Sequence, residues 1–299
     1  MGWTIRIGEH RHPLRDVLLS STAISTLMVT PLAQAQVAST ELPTGGVVAS
    51  GEADISSSGA DMTVTQGSDK AIVNWQTFNV GSAASVTFVQ PSSSASILNR
   101  VLSGVASEIY GKISANGRVY LINSAGVLFG EGAQVDVGSL VASTLNITDE
   151  DFLAGDYTFS RDGSTGTVTN EGTITASAGG FVGLFGSTVV NKGLIETQVG
   201  TIMLAGGEKV TLTIGTGGDV SLAVDPSLVK VLVENQGILS APDGRVYLTA
   251  SAATALASGV INNSGTIAAT SMSSDGGTVV LSASGSVTQI GTIDVSGAG

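Results

Sequence analysis

The heptad Val168-Thr-Asn-Glu-Gly-Thr-Ile174 recurs along this chain and decides its fold. Related copies are VVNKGLI (Val189 to Ile195), VENQGIL (Val233 to Leu239) and INNSGTI (Ile261 to Ile267), with a weaker VTQIGTI from Val287 to Ile293. Their glycines fall at 172, 193, 237, 265 and 291, so the steps are 21, 44, 28 and 26 residues. A period near 20 marks a repeat architecture, and the 44-residue step reads as two turns of about 22. A second motif, G-x-Φ-x-L, is interleaved with the first: GRVYL from Gly117, GFVGL from Gly180, GTIML from Gly200, GRVYL from Gly244 and GTVVL from Gly277. Its alternation of apolar with small or polar residues is strand periodicity, and the glycines supply turns where a Cβ would clash.

Short strands separated by turns at a shared period describe an all-β, single-stranded, right-handed parallel β-helix (β-solenoid). Each coil of such a rod turns one apolar row inward, and successive coils pair their backbones along the axis. Val168, Val189, Val233 and Ile261 are expected to stack inside, as are Ile174, Ile195, Leu239 and Ile267. Asn170, Asn191, Asn235 and Asn263 share one offset, which suits an internal amide ladder. At ~4.8 Å per coil, about 12 coils would give a rod on the order of 60 Å. A β-sandwich or up-and-down barrel with N-x-G hairpin turns is the competing reading, but a hairpin sheet gives no reason for two interleaved motifs to keep one step. Lys209 to Val224, KVTLTIGTGGDVSLAV, reads either as an ordinary coil or as a hairpin standing off the rod. No window beyond the first 35 residues holds a helical i, i+3, i+4, i+7 pattern at helical length.

Those first 35 residues read as an export signal. Arg6, Arg11 and Arg15 precede an apolar stretch from Val17 to Val29, and Ala33-Gln34-Ala35 is an A-x-A site that predicts cleavage between Ala35 and Gln36. The stretch is shorter than the about 20 apolar residues of a membrane span. His10 and His12 lie inside the signal and the chain has no cysteine, so the exported segment has neither residue. That rules out a Ser-His-Asp triad, a Cys nucleophile, a His/Cys zinc site and disulfide bracing. No catalytic residue, metal ligand or cofactor is expected.

Beyond residue 35 the chain carries 9 Lys+Arg against 22 Asp+Glu, a balance of −13. Nucleic-acid binding needs a basic footprint, so that class is excluded. Gly is 40 of 299 residues, nearly twice the ~7% average, and aromatics are 4%. Small and β-branched residues in that balance suit tight strand–turn units, and the apolar fraction is too high for a disordered chain.

Other motifs are weaker. Asp149, Glu150, Asp151 and Asp156 lack the spacing of a calcium loop and read as a solvated loop. Gly215 to Asp219 lacks the Lys-Ser/Thr of a phosphate loop and reads as a turn. Asn146-Ile147-Thr148 is a glycosylation sequon by pattern only. Asn116-Gly117 and Asn123-Ser124-Ala125-Gly126 bracket the short strand VYLI with two turns.

From Ala84 to Phe159 an ordered series appears: Phe88 to Pro91, LNRV from Leu98, ANG from Ala115, LINSAG from Leu121 and VGSLVAST from Val137. This series resembles the N-terminal secretion module of filamentous-haemagglutinin-type exoproteins of bacterial two-partner secretion. Members of that family usually carry Asn-Pro-Asn-Gly where this chain has Asn123-Ser124-Ala125-Gly126. The resemblance implies a secretion module at 36–160, continuing β-helix coils at 161–299, extra-helical hairpins, and an outer-membrane transporter as partner. It further implies that Asn116, Gly117, Asn123 and Gly126 shape turns used in export. The product would be a secreted or surface-exposed adhesin whose contact with host cells or carbohydrate lies downstream. No cap follows the last heptad, so the expectation is either a longer natural protein or a truncated reading frame. The alternative is a β-helix polysaccharide lyase or glycosidase, which needs two carboxylates ~5–9.5 Å apart in a groove.

Overall fold

The computed structural model describes residues 37–215, 219–253, 258–272 and 277–297. The signal segment, with its cleavage point between Ala35 and Gln36, lies outside these residues. The described chain is a parallel β-helix with three faces. Face one stacks Val47–Ser50, Lys70–Trp75, Ser96–Val101, Arg118–Ile122, Ser139–Ser143, Phe181–Phe185, Thr201–Gly206, Arg245–Ala250 and Thr278–Ala283. Face two has seven strands from Ser107–Ile109 to Ser286–Gln289, and face three has ten from Ala53–Ser58 to Thr292–Asp294. The chain visits face one, then two, then three, and returns one coil further along the axis. Neighbouring strands are parallel except at the start, where Val47–Ser50 runs antiparallel to Lys70–Trp75 and Ala53–Ser58 runs antiparallel to Asp61–Gln66.

The repeat explains the stacking. Val168 pairs with Val189, Val189 with Val233 and Val233 with Ile261, all fully buried. Ile174, Ile195, Leu239 and Ile267 form the matching row on face three. The G-x-Φ-x-L strands supply face one, where Val182, Ile202 and Val246 align and so do Leu184, Leu204 and Leu248. Placing like over like lets each β-branched side chain fill the pleat of its neighbour, so one solution serves every coil.

Two expectations about coil count need correction. The 44-residue step is one coil, because Val189 pairs directly with Val233. The extra residues leave the rod as an antiparallel hairpin, Lys209–Ile214 with Val220–Asp225, whose first strand also pairs with Tyr157–Ser160. With residues spent on such excursions, face one contains eight parallel strands and so eight coils rather than about 12. The acidic cluster is also not a plain loop. Asp149–Ala154 forms a short helix, N-capped by Thr148 Oγ1 on the Asp151 amide, with Gly155 closing it in the left-handed conformation. Asp149, Glu150 and Asp151 occupy its first turn, where the helix dipole favours negative charge.

This helix and the three-stranded sheet cover the outer side of face one. Ile72, Leu98, Tyr120, Phe152, Tyr157, Phe159, Phe185 and Met203 are among a second buried cluster formed there. Face-one strands are therefore apolar on both sides, which is why Phe181–Phe185 is buried throughout. Lys70 Nζ fastens the helix by donating to the Phe152 and Leu153 carbonyls at 3.0 and 2.8 Å. Burial raises the Tyr120 hydroxyl pKa well above its ordinary value, so this ring is a neutral core element.

Candidate functional site: two turns of one coil

Asn116-Gly117 and Asn123 to Gly126 lie at the two ends of Arg118–Ile122. The first turns the chain from face three to face one, and the second turns it from face one to face two. Asn116 reproduces a backbone pairing with its side chain: Oδ1 accepts from the Gln90 amide and Nδ2 donates to the Gln90 carbonyl, both at 2.8 Å. Ladder bonding thus continues around a corner where the strand itself has ended. Gly117 lies against the Gln90 side chain, whose Oε1 accepts from the Gly117 amide at 3.0 Å. A Cβ on Gly117 would lie 2.7 Å from that oxygen and 2.8 Å from the Ala95 carbonyl oxygen, so only glycine fits.

Asn123 is 1% exposed and is bonded to both neighbouring coils. Its Nδ2 donates to the Val105 carbonyl at 2.9 Å and to Ser107 Oγ at 3.0 Å on the preceding coil. Its backbone amide donates to the Ser143 carbonyl on the following one. Within the turn, Oδ1 accepts from the Ala125 amide and the Asn123 carbonyl accepts from the Gly126 amide, both at 3.0 Å. Gly126 has φ of 138°, and its Cβ position lies 3.2 Å from the Thr167 carbonyl oxygen. A β-branched residue is strained there by conformation and by contact.

The structure therefore brings all four residues onto one coil, at opposite ends of one strand. It also adds residues that the sequence reading gave no role. Gln90 Nε2 donates to Gln66 Oε1 at 2.9 Å, and Gln66 Nε2 donates to the Ser96 carbonyl at 3.1 Å. This buried glutamine pair supports Gly117 from the coils below. The usable signal was Gln90 in the run Phe88 to Pro91. Arg100 of LNRV holds the excursion that carries the helix, donating to Asn146 Oδ1, the Ile147 carbonyl and Asp149 Oδ1 at 3.2, 2.5 and 2.6 Å. Asn146, the sequon residue, is therefore tied into the fold.

An active site of the lyase or glycosidase kind finds no support in the arrangement of charge. In the outward row of face three, Asp136 has Ser114 and Thr175 as register neighbours, and Glu196 has Thr175 and Ser240. On face two, Glu234 lies between Val190 and Asn262. These carboxylates have no acidic partner in register on an adjacent coil. Among the described residues, no group of three or more His, Cys, Asp or Glu side chains is placed to hold a metal ion.

A model of the TPS (two-partner secretion) secretion domain matches residues 39–295. Two curated relatives from Haemophilus influenzae, both called heme/hemopexin-binding protein, are 35% identical over 228 and 283 residues. The matches cover 74% and 87% of this chain but 25% and 30% of those relatives, so the chain spans less than a third of their length. The crystal structure of the HMW1 secretion domain from Haemophilus influenzae superposes with a TM-score of 0.73 at 30% identity, covering 85% of this chain and 65% of that one. A domain of this kind directs its exoprotein out of the cell through a partner transporter in the outer membrane, so the product is secreted or surface-exposed. Fold, motif order and family match agree, and the chain belongs to the TPS secretion domain family.

Proposed function

We propose that Asn116, Gly117, Asn123 and Gly126 serve export by closing the coil that commits the emerging chain to β-helix. The observation that carries this reading is the double attachment of Asn123, whose amide groups reach the coil before and the coil after its own. A turn that joins three coils makes each new coil depend on the one already formed. In an exported chain with no energy source of its own, stepwise burial opposes back-sliding. Asn123 is hidden once the coil closes, so its use by the transporter belongs to the unfolded passage. Recognition in this reading lies within 36–160, and 161–299 continues the rod.

The exported protein acts in this reading as an adhesin rather than an enzyme, meeting host-cell surface or carbohydrate through regions beyond this domain. The relatives' names point to haem or hemopexin. Those names describe whole proteins of which this chain spans less than a third, so haem or hemopexin capture is not assigned to this domain.

The test is co-expression with the partner transporter, comparing wild type with Asn116→Ala, Asn123→Ala and Gly126→Val. Loss of the chain from the medium and cell surface, with periplasmic accumulation or proteolysis, is expected. Surface levels equal to wild type for all three would leave the turns a structural role alone.

A further inference from the structure

We propose that Arg118 is the anchor of a small anion-binding site, and that its ligand is a carboxylate-bearing sugar of the hexuronate class. The exported segment has four arginines. Arg100 is paired with Asp149, Arg161 with Glu208 and Arg245 with Asp219, at 2.6, 2.9 and 2.9 Å. The Arg118 guanidinium has no carboxylate or hydrogen-bond partner among the described residues. In a chain with a balance of −12 this is unusual, because acceptors are abundant and a free guanidinium in a recess is preorganised for one.

The repeat itself indicates what is missing. Arg118 and Arg245 are the second residues of two identical GRVYL motifs, starting at Gly117 and Gly244. At Arg245 the protein supplies its own carboxylate, Asp219 beside the outlying hairpin, to Nη1. At Arg118 the register neighbours are Ser96 and Ser139, whose short side chains leave a hollow instead. The guanidinium lies over the Phe181 ring with 6.0 Å to the centroid. Phe181 is buried, so the contact holds the fork in place rather than offering an open platform.

The hollow has a volume of about 180 Å³, and no acidic side chain lines it. Ser93, Ser94 and Ser177 contribute exposed hydroxyls, and Ile214 overhangs from the hairpin. One fork for a carboxylate, several hydroxyls for ring hydroxyls and room for about one ring match a single acidic sugar unit. The site is separate from the turn function: Asn116 borders it, but its side-chain amide is already committed to Gln90.

The test uses the whole folded domain and sodium D-glucuronate up to about 20 mM, at ionic strength fixed with chloride, read by NMR shifts or calorimetry. Saturable binding by wild type is expected, with loss in Arg118→Gln and weakening in Arg118→Lys, which keeps charge but loses the fork. Ser94→Trp, which fills the hollow without touching the guanidinium, should also abolish it, and Arg245→Gln should leave it intact. Circular dichroism checks that each variant is folded, and Ser94→Trp provides the reading if Arg118→Gln is not. Glucose should not bind. Acetate binding as tightly as glucuronate would overturn the assignment of a sugar. Absence of saturable binding, or binding unchanged in both Arg118→Gln and Ser94→Trp, would overturn the site.

Discussion

Asn170 donates its side-chain Nδ2 to Oδ1 of Asn191, 2.8 Å away on the next coil, with both residues fully buried. The same bond repeats from Asn191 to Asn235 at 2.8 Å, from Asn235 to Asn263 at 2.7 Å and from Asn263 to Gln289 at 2.9 Å. Asn191, Asn235 and Asn263 each donate to one coil and accept from another, so the row resembles a fourth ladder made of side chains. Oriented amides in a dry interior polarise one another, and no member is left without a partner.

Cutting this row in the middle should therefore cost more than cutting it near its end. Asn191→Ala leaves the buried Asn235 acceptor unpaired and leaves the Asn170 donor only its longer bonds to the Gly172 and Leu194 carbonyls, at 3.3 and 3.4 Å. About 1–3 kcal/mol of lost stability is expected. Gln289→Ala acts at an exposed position and should cost about 1 kcal/mol or less. Urea denaturation of both variants measures the difference.

Val199 is a β-branched residue with φ of 51°, 62% exposed, at a corner where Gly179 and Asp243 also take positive φ. Its side chain gains little from burial, while its backbone bears the left-handed penalty. Val199→Gly should stabilise the domain by about 0.5–1 kcal/mol, the strain relieved exceeding the chain entropy added. Thermal unfolding should show a rise of a few degrees; a fall would mean that Val199 makes a contribution its exposure hides.

Glu208 has its pKa lowered, first by the hydrogen bond from Arg161 and further by Ser227, against an opposing effect of burial. A depressed folded-state value means that the stabilisation is fully present above the unfolded value near 4.5 and is lost as pH falls through the lower folded value. The gap in urea midpoint between wild type and Glu208→Gln should be open at neutral pH and should shrink below about pH 4. A gap independent of pH would place the effect in packing instead.

What the sequence revealed and what it hid follow from the same repeat. Val168, Val189, Val233 and Ile261 were legible because stacked coils pose one packing problem and receive one answer. The ladder of Asn170, Asn191, Asn235 and Asn263 was legible for the same reason, while its extension to Gln289, which stands where the other copies have Asn, emerged only from the structure. The segment 209–224 stayed open between a coil and a hairpin, because its two alternating strand runs suit either and an excursion adds residues without shifting the register of Val189 on Val233. The helix at Asp149–Ala154 escaped because six residues are too few to show a helical period, although Thr148 and three acids were a local start signal. Of the candidate turns, the pattern showed Asn and Gly at the ends of one strand. Gln90 stood in the quoted run Phe88 to Pro91, but its pairing with Gln66 was not readable, since Gln66 belongs to no repeated motif.

The most direct test of the export role separates it from stability alone. Asn123→Ala and Asn191→Ala both remove a buried side-chain amide that bonds outside its own coil, but only the first lies in a turn of the 112–129 coil. The measurement is a pulse-chase export assay with the partner transporter, alongside the urea midpoint of each purified variant. The account predicts that Asn123→Ala is retained in the periplasm while Asn191→Ala, equally or more destabilised, reaches the surface at near wild-type levels. Export that simply follows stability across the two variants would contradict it.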